Sequence, residues 1–149
     1  MKSKELKTGR TIIVKLQKGE EVLAKLIEAC DKHKIKSGVV SGIGAVSSVS
    51  LIGGKSTEKI DANELEYKGP IEIAAAVGNV AQKEGKTYIH LHGSLGLTDH
   101  KTISGHIVRA VISLVGEFAI IETLGSDGKS EGALKRGYEE SLKMWTLDL

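Results

Sequence analysis

The sequence predicts an α+β domain: a largely antiparallel β-sheet with one main helix packed on it. Three observations carry that expectation. Only one segment, Glu20 to about Lys34, repeats its apolar residues at the helical period. Most other apolar residues fall in short, β-branched runs. Those runs follow one another through glycine-marked or polar turns, which suits antiparallel neighbours.

Taken in order, Arg10 to Leu16 reads as a first strand, because Thr11, Ile12, Ile13 and Val14 are mostly β-branched; Gly19 then breaks it. In the helix that follows, Val22, Leu23, Leu26, Ile27 and Cys30 make one apolar stripe. Glu20 and Glu21 stand at its start and Lys32 and Lys34 at its end, as the helix dipole prefers. His33 belongs to that basic end. Ser37 to Ile52 reads as two strands with a bend between them. Its glycines Gly38, Gly42 and Gly44 match neither a Walker A loop nor a dinucleotide loop, and read as points of close approach or bulging.

Gly53 to Gly69 reads as a long polar connection with one short strand around Glu66-Tyr67. Pro70 opens a strand from Ile71 to Val80, in which Glu72 is out of place among apolar neighbours. Lys86 to about Ser94 is the next strand, and Thr98-Asp99-His100-Lys101 a polar turn. Ser104 to Leu114 and Gly116 to Leu124 are the most apolar runs, and Glu117 raises the same question as Glu72. A charge inside such a run is either on a wet face or paired. Glu131 to Ser141 is polar, and Lys143 to Leu149 reads as a last strand.

The 149 residues suit one domain, large enough for a core without disulfides. With aromatics at 3%, that core must be aliphatic. The charges balance at 21 basic against 19 acidic, which gives nucleic-acid binding no support from charge alone. Lys2, Lys4, Lys7 and Arg10 read as a solvated terminus. Cys30, the single cysteine, reads as a small core residue in a reducing cytoplasm. No run reaches membrane length, and the start lacks a signal-peptide apolar region.

The chemistry gathers in Tyr88-Ile89-His90-Leu91-His92-Gly93 and Ser104-Gly105-His106-Ile107. Alternate strand residues share a face, so His90 and His92 point one way and Ile89 and Leu91 the other. If the two runs pair, His106 joins them. Three neutral imidazoles with an open position form the pattern of a catalytic or exchangeable zinc site rather than a closed structural one. The plain alternative is a set of histidines each bound to a carbonyl.

At Ser41-Gly42-Ile43-Gly44-Ala45, Ile71-Glu72-Ile73, Gly78-Asn79-Val80, His90-Leu91-His92 and Gly105-His106-Ile107, the chain resembles the PPC (plants and prokaryotes conserved) domain. This is the globular part of plant AT-hook nuclear-localised proteins. The resemblance runs from about Arg10 to Leu124. It implies a PPC-like α+β domain over residues 10–149 behind a tail at 1–9, a tight homotrimer, and a metal site at His90, His92 and His106 holding Zn²⁺ or another divalent transition metal. Glu72 and Glu117 match acidic positions of similar sequences. Two departures stand out. Ser104-Gly105-His106 replaces the Gly-Gly-His common in the family, and no Arg-Gly-Arg-Pro hook is present to enter a minor groove.

Two functions follow as expectations. One is a cytoplasmic, trimeric interaction module that contacts proteins or DNA. The other is a metal-dependent enzyme acting on a small molecule of unknown identity, with Glu72 or Glu117 as candidate general base.

Overall fold

A computed structural model describes residues 1–53 and 63–149. In order, the elements are β1 (Lys7–Gln17), α1 (Val22–His33), β2 (Gly38–Gly53), β3 (Asn63–Lys83), β4 (Lys86–Gly96), β5 (Thr102–Leu124), β6 (Lys135–Glu139) and β7 (Met144–Asp148). Among the described residues one α-helix packs on the sheet, against β1, β4 and β5. Of the described residues 66% are in β-strands, with one short helix. The expected single helix on an antiparallel sheet is therefore present, but α+β overstates the helical share.

The sheet runs β1-β5-β2-β3-β6-β7, and β4 pairs with both β3 and β5. Strands β2, β3, β4 and β5 thus form a ring in which each pairs with two others. All the pairings are antiparallel except β3 with β6, which meet in parallel at Gln82 and Lys135.

The helix forms where its periodicity places it. Val22, Leu26 and Cys30 are completely buried, and Leu23 and Ile27 pack partly against the core. Glu21 is the N-cap rather than a first-turn residue, and its carboxylate accepts from the backbone N–H of Leu23 (3.2 Å) and Ala24 (2.7 Å). The same carboxylate accepts from Ala110 N–H on β5 (3.1 Å), so one cap also ties the helix to the sheet. Lys34 ends the helix in the left-handed conformation. Opposite lie Phe118, Ile73, Leu91, Leu95, Ile107, Ile112 and Ile120, all of them buried.

The strands are longer than the sequence predicts, because some expected runs merge. Ser37 to Ile52 forms one strand, bent at register shifts after Gly42 and Val46, and the two apolar runs around Val115 join into the 23-residue β5. Bulges bend a strand without ending its pairing, so a bend reads in sequence as a break. Pro70 likewise lies inside β3 instead of opening it. The β2–β3 register shifts between Val46 and Ser48, and Pro70 has no ladder partner there, as a residue without an N–H requires. Strand β1 begins at Lys7 rather than Arg10, and the β6 strand within the polar 131–141 stretch was not expected. The expected connection over Gly53 to Gly69 lies in part outside the described residues; its end, with Glu66 and Tyr67, belongs to β3.

Gly78 sets the spacing of β3 against β4, since a Cβ there would run into the carbonyl oxygen of His90. Gly78→Ala should therefore cost about 1–3 kcal/mol as an overpacking change. Equilibrium urea unfolding checks this, and a loss within about 0.5 kcal/mol, the usual range for a surface change, would mean the two strands part freely.

Candidate metal centre

The β4 pleat sends Ile89 and Leu91 into the core and leaves Tyr88, His90 and His92 on the outer face. His106 on β5 stands directly opposite His92 in the ladder. The three rings converge: centroids are 4.9 Å apart for His90 and His92, 4.8 Å for His90 and His106, and 5.4 Å for His92 and His106. One ligand nitrogen from each lies within 4.8 Å of the others. The Nε2 atoms of His90 and His92 are 3.0 Å apart. A metal ion bound about 2.0–2.1 Å from each nitrogen needs every pair within about 4.2 Å, so that spread would have to narrow on binding.

The electrostatics favour neutral rings. Burial, then the Arg136 guanidinium and the other two imidazoles, lower the His90 pKa from 6.5 to about 4. Burial, then His92 and Arg136, lower that of His106 as well. A neutral imidazole has a free lone pair, so the donors are prepared at neutral pH without first losing a proton. His92 is the exposed member and His90 and His106 are half-buried, so the cluster is open on one side.

Cross-strand partners share a face, and the cluster therefore belongs to a longer row. Ile13 faces Ala119, Ala119 faces Ser41, Ser41 faces Val77, Val77 faces His92, and His92 faces His106. The row begins on an apolar outer surface, where Ile13 is 72% exposed, Ile43 54% and Val77 57%. A shallow groove of about 410 Å³ runs along that surface, lined by Ile13, Ile43, Val77 and Ala119.

The two candidate carboxylates are elsewhere. Glu72 is exposed, opposite Ala45 and Gly96, five positions along β3 from Val77, or about 16 Å at a strand's rise of about 3.3 Å per residue. Glu117 is exposed between Lys15 and Ile43 and lines the apolar groove. Among the described residues, the histidines are the one group of His, Cys, Asp or Glu side chains arranged to hold a metal. His33 and His100 are not part of it.

Three neighbours had no role in the sequence reading. Asn79 faces His90 across the ladder, Tyr88 shares its face on β4, and Arg136 on β6 donates to Asn79 Oδ1 at 3.1 Å. Asn79 stands in one of the family-like motifs. Nothing in the polar stretch around Arg136 marks that residue, because only the parallel β3–β6 pairing brings it to the site.

The sequence pattern of the Plants and Prokaryotes Conserved (PCC) domain matches residues 3–124. The chain belongs to this family. Among solved structures, it is similar to a metal-containing protein from Archaeoglobus fulgidus at 25% identity, with all of both chains covered and a TM-score of 0.87. A plant- and prokaryote-conserved protein from Pyrococcus horikoshii is 27% identical, over 100% of this chain and 99% of that one, with a TM-score of 0.84. At the level of fold alone, the PCC domain also resembles acetolactate decarboxylase from Bacillus subtilis. That match has 13% identity and a TM-score of 0.54, over 79% of this chain and 53% of the other. No curated protein matches the chain. Among the described residues, no helix is long and apolar enough to cross a membrane.

The depressed histidine pKa values make a prediction for the metal-free protein. Between pH 6.5 and about 4, an unfolded chain binds a proton at His90 that the folded chain refuses. Stability should be complete above that window and fall as pH drops through it. Urea midpoints should decline more steeply from pH 7 to 4.5 for the wild type than for His90→Gln. Equal slopes would place the proton uptake at other groups.

Proposed function

We propose that the protein is a homotrimeric metal-binding PCC domain. It holds Zn²⁺ or another divalent transition metal on His90, His92 and His106, with an open position for a small molecule. The convergence of three imidazoles on one partly exposed point, with His90 and His106 held neutral by burial, carries this reading. The Archaeoglobus fulgidus relative is described as a metal-containing protein, which supports a metal here. Bound there, a divalent ion supplies Lewis acidity and an acidified water. The protein's part is to orient the rings through the β4–β5 register and to keep those of His90 and His106 unprotonated by burial.

The trimer rests on the outer face. Ile13, Val39, Ile43, Val77 and Ile121 expose apolar side chains on adjacent strands, and such a contiguous patch marks an association surface. A second copy suits it, because isologous and cyclic contacts are the common way chains cover such faces. In this reading a carboxylate base has to come from a neighbouring copy, since Glu72 and Glu117 lie away from the imidazoles of their own chain. We take the domain to begin with β1 at Lys7 and to run to 149. A reducing cytoplasm suits Cys30, whose thiol is completely buried and pushed up to about 12 by that burial, beyond reach of disulfide exchange. The balanced charge gives DNA no electrostatic footprint to follow.

Protein purified without a histidine tag should carry close to one metal per chain by elemental analysis. A content below about one per three chains, with stability unchanged by chelator, would overturn the reading, because a metal that binds only the folded state must stabilise it. His92→Ala should abolish metal uptake and leave the trimer intact in sedimentation. Loss of the trimer would instead make the metal a structural element of the assembly. Independently, Val77→Asp should convert the trimer to monomers at micromolar concentration; a persisting trimer would place the interface elsewhere.

A further inference from the structure

Beside the histidines sits a buried cation that lacks an acid. Arg136 is 9% exposed. Its Nη1 donates to the Trp145 carbonyl at 3.0 Å and its Nη2 to Asn79 Oδ1 at 3.1 Å. Its Cζ lies 5.0 Å from the centre of the Tyr88 ring. All three partners are neutral. Among the described residues no carboxylate stands within ion-pair distance of it, and its buried Nε has no hydrogen-bond partner.

The guanidinium is also fixed with respect to the metal centre. Asn79 faces His90 across the ladder, and Tyr88 lies two residues before His90 on the same side of β4. Arg136 is therefore about one residue pair from His90. A divalent ion on the three imidazoles would add two positive charges to this one, and among the described residues no acidic side chain joins the cluster to balance them. Burying an unpaired cation costs several kcal/mol, and buried charges in folded proteins are normally paired. The missing member is an anion.

We propose that Arg136 is the anion-binding residue of the metal centre, and that the ligand is a small carboxylate carrying a second oxygen that reaches the metal. This rests on the metal-binding reading above. A guanidinium has five N–H donors; two are used here, leaving three, which is enough for a bidentate carboxylate. One guanidinium also balances the single charge of a carboxylate. Arg136 lies beyond residues 3–124, so the hairpin of β6 and β7 adds the anion subsite to a centre built by the PCC domain.

Cobalt(II) tests the two readings separately. Absorption bands of Co²⁺ bound to the metal-free protein report the three-histidine site; their failure to develop sinks the metal reading itself. Once they develop, glycolate, 3-hydroxypropanoate and 4-hydroxybutyrate are titrated against the bands, with propane-1,2-diol and inorganic phosphate as controls. At least one hydroxycarboxylate should shift the bands at concentrations where the diol does not. Arg136→Met should weaken that binding about tenfold or more, the scale of a charge-assisted hydrogen bond, and Arg136→Lys less. Cobalt bands and circular dichroism of the variants show whether they fold, and the wild-type contrast between carboxylate and diol stands without them. Equal binding of diol and carboxylate, stronger binding of phosphate, or carboxylate binding indifferent to Arg136→Met in a folded variant would each overturn the proposal.

Discussion

The site depends on the register of β4 between β3 and β5. A strand has a period of two, so a slip of one residue would turn His90 and His92 into the core and bring Ile89 and Leu91 to the surface. The inner face guards against this. Ile89, Leu91 and Leu95 are almost completely buried, and exchanging them for imidazoles would bury polar rings without partners. Glycine reinforces the choice at Gly93 and Gly105, which face one another in the β4–β5 ladder. A Cβ at Gly93 would press on the Ile107 side chain at 2.8 Å, and one at Gly105 on the Ile52 carbonyl oxygen at 2.8 Å. Packing on the hidden side thus positions the chemistry on the visible one.

The same burial sets the charge state. A half-buried imidazole disfavours its protonated form, and each neighbouring cation adds to that. With the acids at Glu72 and Glu117 placed elsewhere, no carboxylate among the described residues joins the rings to draw a proton onto them. A surface His-x-His pair beside carboxylates would behave in the opposite way and hold a proton near neutral pH. Contrast comes from the far end of β5, where the buried Glu122 is held below the usual carboxylate range by its bond to Arg10 (2.9 Å). There a charge is buried with its partner. At the histidines, imidazole donors are gathered with a cation and, among the described residues, no acid, an arrangement suited to receiving charged species from solution.

Much of this was legible in the sequence, for definable reasons. The helix was readable because Val22, Leu26 and Cys30 keep the helical period against one core. The histidine cluster was readable because His90 and His92 keep the strand period and a polar turn of ordinary length returns the chain to His106. Strand number was less readable. Bulges at Gly42 to Gly44 and near Pro70 carry the same residues that end strands, and only the ladder partners distinguish a bend from a stop. The weight of β over α followed from that error, because merged strands lengthen the sheet. Arg136 was not readable at all. Its place depends on a single parallel contact between β6 and β3, a pairing that links residues far apart in the chain and leaves no local pattern.

The row from Ile13 to His106 ties assembly to chemistry. Val77 is at once a cross-strand partner of His92 and part of the apolar face, so a copy docked on that face would cover one flank of the cluster. Covering that flank would dry the site and strengthen every electrostatic interaction within it. The β6–β7 hairpin lies on the other flank, over Tyr88 and Asn79, with Trp145 and Lys83 stacked at 4.7 Å behind Arg136. In the proposed assembly, a metal centre with one wall from the sheet, one from the hairpin and one from a neighbour would be selective in a way that a bare trio of histidines is not. The family pattern supplies the first wall, and this chain's own C-terminal segment supplies the second. The hairpin is therefore the part of the molecule that can vary a ligand preference without disturbing the β4–β5 register that holds the histidines together.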